Sequence, residues 1–577
     1  MRSSSILPSA LLALLAVCTG CADVCQPCKV IHTNPSWMCG SGLQCVENRC
    51  VRDQGNLPGE CCGQGAECNF EGFCANDKQC QRYDGNLEGE HCSEDGAQCN
   101  EAFLCVYQTC ETLPIYPPVR EFTQQEGEAF SLDPDTLIIL PENPSSTDET
   151  AGRVLREQIA ASCGVDLTVR SYMEGDPPAN AIVIGTPAAN PAVQALLSAG
   201  SLEIPDDGPA PAENYALRIE ASNILVAGRG GPGSLYGAQA LKQYIREVIP
   251  RVPSSELPPV TVRDYPDTEQ RAFKIIFVHY YFPYPQVQQG NTDGYKFMDI
   301  PFSLDTAYAY LHIMSELRFN MAILKMGDIV AWQSLPQPEN TAITVQDYLD
   351  LVREANDYGL ETVPLINGSS AHNGWIATVD EPIEYTEEYA VSHYEEHLAV
   401  YLGVVEEIIQ AYDGVQPLRY FHAGMDEDFT FGSRPLDYHL QWVDAAYSLI
   451  TSHNVKMIVW FDCWACNQHF INEGQNYPNM HVAVWDYFTP VSDFARTKIG
   501  QVLERGLEVS LALWGNGTPE DLAWWSSLQD PGQRGFIGLN WVNGTMCREP
   551  TSQVFEETVN VYMRKCSDLF WNAAHIQ

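Results

Sequence analysis

The chain has 577 residues, too many for one ordinary domain and enough for three or four. A hydrophobic fraction of 45% excludes a disordered chain. A net charge of −43 excludes binding driven by nucleic-acid phosphates or by anionic membranes, and such acidity favours solubility.

Arg2 and the apolar stretch Ile6 to Val17 predict an export signal, too short to span a bilayer. It ends in Val17-Cys18-Thr19-Gly20-Cys21, which resembles a bacterial lipoprotein cleavage box with Cys21 as the lipidated residue. Cys18 leaves ordinary signal-peptidase cleavage open. Residues 1–21 are therefore expected to direct export, to the cell envelope as an outer-membrane lipoprotein or to the exterior. Residues 22–112 form a Cys-rich region, with 14 cysteines between Cys25 and Cys110 and few large aliphatic residues. The even count predicts a framework of up to seven disulfides. Cys68, Cys74 and Cys80 return as Cys99, Cys105 and Cys110, a repeat near 30 residues. Cys25 and Cys28 have the spacing of half a zinc site but lack a matching second pair.

A second domain is expected at 113–262. Thr136 to Leu140, Ala181 to Ile184, Tyr215 to Ile219 and Ile224 to Ala227 read as strands, and Ala151 to Ser162 as an amphipathic helix. Gly228 to Gly233 spells G-x-G-x-x-G between a strand and a helix over Ser234 to Arg246. A dinucleotide fingerprint requires a second strand ending in an acidic residue about 20 residues on. Val248-Ile249-Pro250 stands in the way, so the glycines are read as a tight turn at a helix start.

Residues 263–577 carry eight apolar runs: Ala272–His279, Phe319–Met326, Leu360–Ile366, Leu418–Met425, Val455–Phe461, His481–Tyr487, Leu507–Trp514 and Gly535–Val542. Helical periodicity falls between them, at Leu304–Leu317, Val345–Tyr358, Tyr389–Tyr412, Tyr438–Ser452 and Pro550–Met563. Continuous apolar strands alternating with helices predict a (β/α)8 barrel, with its site at the C-terminal ends of the strands. Those ends hold His279, Asn367 with His372, Asp426 with Glu427, and four tryptophans: Trp460, Trp485, Trp514 and Trp541. Aromatic walls suit the C–H faces of a sugar ring, and carboxylates suit its hydroxyls and its glycosidic oxygen. Asp426 and Glu427 are neighbours, so they cannot flank a scissile bond in the usual way. A neighbouring pair suits hydrolysis in which the substrate's own N-acetyl group is the nucleophile.

His422-Ala423-Gly424-Met425-Asp426-Glu427 resembles the H-x-G-G-D-E motif of glycoside hydrolase family 20, the β-N-acetylhexosaminidases, with Met425 in place of the second glycine. Gly233 to Leu241 is similar to the accessory α+β domain of that family, and Asp264-Tyr265-Pro266 with Gln270-Arg271 to its entry into the first strand. The resemblance covers residues 116–577. It implies Asp426 and Glu427 as catalytic residues, the first stabilising the acetamido nucleophile and the second acting as acid and then base. It implies substrate binding by Arg271, His372, His422, Trp460, Trp485, Tyr487, Trp514 and Trp541, with Asp328 as a carboxylate after the second strand. The implied activity is exo-acting release of terminal N-acetylglucosamine or N-acetylgalactosamine from glycans, with retention and without metal or organic cofactor. The alternative is a catalytically silent carbohydrate-binding lipoprotein on the same barrel. Retention of both carboxylates disfavours it.

Overall fold

The computed structural model describes residues 114–276, 303–326, 329–335, 343–368, 394–425, 436–461, 472–486, 488, 490–513, 517–539 and 558–571, apart from 176, 178, 201 and 252–254. Six short strands before residue 113 are also described. The chain divides into two compact units, Met1–Pro114 and Ile115–Gln577. In the first, the strands form three antiparallel hairpins: Leu43–Val46 with Arg49–Arg52, Gly72–Cys74 with Cys80–Arg82, and Phe103–Val106 with Thr109–Thr112. In each, one cysteine faces another in register: Cys45 and Cys50, Cys74 and Cys80, Cys105 and Cys110. The repeat therefore has three copies, one more than the spacing of Cys68 to Cys110 reveals.

The second unit begins with a seven-stranded sheet in the order Thr168–Ser171, Leu137–Leu140, Ala181–Gly185, Asn223–Gly228, Tyr215–Ile219, Val260–Asp264, Glu121–Gln124. The first four strands are parallel, and the rest pair antiparallel. Alternation sends Ile138, Ile182 and Ile184 to one face and Ile139 and Val183 to the other. The first face is covered by the helices Ser146–Cys163 and Gly231–Val248, the second by Pro191–Gly200. Ser145 starts the first helix through a capping box with Asp148, and Gly164 ends it at φ +69°. The glycine-rich stretch is the tight turn expected of it. A Cβ on Gly228 would lie 2.1 Å from the amide nitrogen of Ser234, and one on Gly233 2.3 Å from the carbonyl of Asn214.

This domain is fastened to the barrel by Gly231–Val248. Tyr236 Oη donates to the carbonyl of Phe319 at 3.0 Å, and Lys242 and Arg246 both reach Glu316 at 2.6 Å. Burial alone would raise the Glu316 carboxyl, but the two cations outweigh it and hold it at about 2.

Eight parallel strands then close the barrel: Gln270–Ile276, Met321–Met326, Glu361–Ile366, Tyr420–His422, Lys456–Trp460, Met480–Asp486, Glu508–Leu513 and Gln533–Gly538. Each lies within one predicted run or overlaps it. The described helices include Leu304–Glu316, Val345–Asp357, Tyr394–Tyr412, Leu436–Ser452, Asp493–Glu504 and Pro519–Leu528. Ser303, Thr344, Ser492 and Thr518 cap four of them. The predicted run Pro550–Met563 is described from Thr558, as a π-helical turn that leads into the helix Arg564–Trp571. Inside the barrel, Ala272, Met321, Ile323, Val363, Leu365, Ile458, Ala483, Ala512 and Ile537 pack together with Trp460. Outside it, the opposite strand faces and the helices make the largest core.

Candidate active site

The fourth strand is the shortest of the barrel, and the cause is a left-handed turn at its C-terminal end. Gly424 and Met425 both take left-handed backbone, at φ +73° and +68°. The strand therefore stops at His422, short of the predicted run. A Cβ on Gly424 would lie 2.8–2.9 Å from atoms of Asn367, so only glycine fits there. Met425 pays a steric cost of about 1–2 kcal/mol in the same conformation, which a glycine would avoid. Its side chain is buried. The turn is tied to both neighbouring strands: Gly368 N–H donates to Ala423 at 3.2 Å, Ala423 N–H to Ile458 at 2.8 Å, and Trp460 N–H to Gly424 at 2.9 Å. Asp426 and Glu427 come next in the chain, and both lie outside the described residues, as do Asp328, His372, Tyr487, Trp514 and Trp541.

His422 and Trp460, on adjacent strands, are fully buried and lie against each other with ring centroids 4.2 Å apart and planes tilted by 49°. Gly424 N–H donates to His422 Nδ1 at 3.1 Å. The same interior carries two lysines that the apolar pattern conceals. Lys274 lies two residues after inward-facing Ala272, and Lys325 two after inward-facing Ile323. Lys274 is fully buried, with Nζ 5.4 Å from the centroid of the Trp460 ring. A lysine two places from an inward residue in an otherwise apolar run was the available signal. Burial, reinforced by Lys274, His481 and Lys325, holds His422 well below the ordinary imidazole range, so the ring is neutral.

Trp485 and Asp486 close the sixth strand. Trp485 packs at the edge of the interior cluster. Asp486 accepts from Phe488 N–H at 2.9 Å, Ser492 N–H at 2.7 Å and Ser492 Oγ–H at 2.6 Å, so its carboxylate shapes the loop. Deeper in the barrel, His481 bonds to Ser510 at 2.8 Å, and Ser510 donates to Gln270 at 2.7 Å. Burial pushes His481 down to about 4.

Arg271 is a correction. It sits at the N-terminal end of the first strand, far along it from the rim, and its odd register turns it outward. Nε donates to the carbonyl of Arg318 at 2.9 Å and Nη1 to that of Thr268 at 2.6 Å, while Nη2 pairs with Glu213. The guanidinium lies 5.0 Å from the centroid of the Trp571 ring. With 1% exposure and its donors used, it joins the accessory domain to the barrel instead of binding a sugar. The Asp264-Tyr265-Pro266 motif serves the same seam. Asp264 accepts from Tyr215 Oη–H and Trp571 Nε1–H, both at 2.8 Å.

Residues 112–265 match the family model described as glycosyl hydrolase family 20, domain 2. Over this segment the chain is similar to the second domain of glycoside hydrolase family 20. The closed barrel follows this matched segment on its C-terminal side. A mutant Streptomyces plicatus β-hexosaminidase, solved with its product GlcNAc, superposes with a TM-score of 0.58 at 15% identity, over 80% of this chain and 91% of that one. The exo β-N-acetylglucosaminidase of Vibrio harveyi, in complex with N-acetylglucosamine, gives 0.54 at 13% identity, over 88% and 80%. A lacto-N-biosidase of Bifidobacterium bifidum is 23% identical over 235 residues, 37% of this chain. The chain spans only 17% of that relative's length. Among the described residues, no group of three or more His, Cys, Asp or Glu side chains has metal-binding geometry.

Proposed function

We propose that this chain is a glycoside hydrolase of family 20, an exo-acting β-N-acetylhexosaminidase that releases terminal N-acetylglucosamine or N-acetylgalactosamine with retention. The observation that carries the reading is the end of the fourth strand. Two successive left-handed residues, in a turn tied by hydrogen bonds to Gly368 and Trp460, end the described part of the fourth strand at the C-terminal rim of the barrel, and Asp426 and Glu427 follow directly in the chain. Backbone strain of this kind clusters where a reacting group must be aimed. In this reading the substrate's acetamido oxygen attacks the anomeric carbon, and Asp426 orients it and stabilises the charge that develops. Glu427 gives its proton to the leaving oxygen and then takes one from the water that opens the oxazoline. His372, Tyr487, Trp485, Trp514 and Trp541 belong to the same proposal as walls of the sugar pocket, with Trp460 beneath them. Export with a lipid on Cys21 belongs to it as well, and would place the enzyme among envelope glycans.

The test is hydrolysis of a chromogenic N-acetyl-β-glucosaminide, with the plain β-glucoside as control. Wild type should cleave only the N-acetylated sugar, and Asp426→Asn should lose about a thousandfold or more in kcat. Cleavage of neither sugar by a folded protein that still binds N-acetylglucosamine would favour the silent binder.

A further inference from the structure

Among the buried polar atoms of the barrel interior, His422 Nε2 lacks a hydrogen-bond partner. The ring has no exposure, lies against Trp460, and stands in the last inward-facing position of the fourth strand, level with the turn before Asp426. Its other nitrogen accepts the Gly424 N–H, so Nδ1 carries no proton and a neutral ring must carry its proton on Nε2. A buried donor without an acceptor is destabilising, a deficit that a bound oxygen would remove.

We propose that His422 is a substrate-binding residue that acts as a neutral, Nε2-protonated donor to an uncharged oxygen, a hydroxyl or an amide carbonyl, of the bound sugar. The tautomer is set by the backbone: the left-handed turn at Gly424 aims the amide at Nδ1. Neutrality is kept first by burial of the ring and then by the groups near it, Lys274 from the first strand, His481 from the sixth and Lys325 from the second. Each of these disfavours a second proton on the imidazole. A neutral donor is suited to this place. The neutral ring can donate to an uncharged sugar oxygen without adding a positive charge to an interior that already holds Lys274 and Lys325. The identity of the ligand rests on the hexosaminidase reading, but the state of the ring does not.

The test uses the full chain with 15N-labelled histidine, the His422 signals being those missing from His422→Gln. Long-range proton–nitrogen correlation should show the Nε2-protonated neutral pattern throughout about pH 5 to 8. N-acetylglucosamine should shift the Nε2–H resonance. In the chromogenic assay, His422→Phe should raise KM about tenfold, and His422→Gln, whose amide N–H can stand in for Nε2–H, should recover part of that loss. A cationic or Nδ1-protonated ring would overturn the proposal. So would sugar binding, seen independently by saturation transfer, that leaves Nε2–H unmoved. If no N-acetyl sugar binds, the hexosaminidase reading falls together with the ligand half of the proposal, and the ring pattern alone then decides the donor state.

Discussion

The two ends of the barrel bury polar and charged groups in opposite ways. At the N-terminal end, Arg271 meets Glu213 and two backbone carbonyls, and Asp264 is ringed by Tyr215, Trp571 and two amides, with Arg318 4.0 Å away. These partners come from the accessory domain, the segments just before the first and second barrel strands, and the last helix, so the charges weld these parts of the chain together. At the C-terminal end, His422 keeps one nitrogen without an acceptor, and the backbone turns through two left-handed residues. The first end meets the charges of Arg271 and Asp264 from within the chain, although other buried atoms there, Arg318 Nε and Glu508 Oε2 among them, lack a hydrogen-bond partner. The other leaves a donor and a strained turn where a substrate would arrive. Barrels that are enzymes usually keep stability below and chemistry above.

The largest stability effect should come from breaking the satisfied end. Arg271→Met leaves Glu213 with a buried charge and should cost about 3–5 kcal/mol in denaturant unfolding. KM for the chromogenic substrate should stay unchanged at temperatures where the variant is folded. A raised KM with normal stability would instead return Arg271 to the sugar site. At the other end, Gly424→Ala forces a Cβ against Asn367 in left-handed backbone and should cost about 1–3 kcal/mol. Here activity should fall even at temperatures where the variant is folded, because the turn aims the residues after it.

A smaller effect concerns the seam around the last helix. Asp568 accepts from Tyr116 Oη–H at 2.6 Å, and burial raises its carboxyl to about 7, against the pull of the Tyr116 bond and of Arg564. The folded state therefore holds this proton more tightly than the unfolded chain, whose aspartates titrate near 4. The stabilisation is fully present below about pH 4 and is lost as pH rises to about 7. Asp568→Asn should flatten that part of the stability profile, as followed by thermal melts across the range. The smallest effect is expected on the surface, away from both ends. Arg156→Ala removes an exposed pair with Asp166 and should leave the melting temperature unchanged within error.

Much of the architecture was legible because it obeys short-range rules. Continuous apolar runs separated by helical periodicity announce buried parallel strands, and all eight lie close to where those runs fall. The motif from His422 to Glu427 was likewise visible as a string of residue types. Its glycine was visible too, but not the reason for it, since the contact with Asn367 joins residues from different strands. Arg271 shows the limit most clearly. Its type and its neighbours suggested a sugar ligand, but in a strand one residue of register decides between the inside and the outside of the barrel. Register is set by the partner strands, beyond the reach of a local reading. Lys274 and Lys325 escaped notice for the converse reason: a lysine in an apolar run reads as an interruption until closure of the sheet shows that it points inward. The sequence by itself determined the order of elements and the candidate chemistry, because periodicity and residue type are local properties. Which charges weld the domains and which face the mouth was decided only by the tertiary structure, because both depend on strand register and on contacts between residues far apart in the chain.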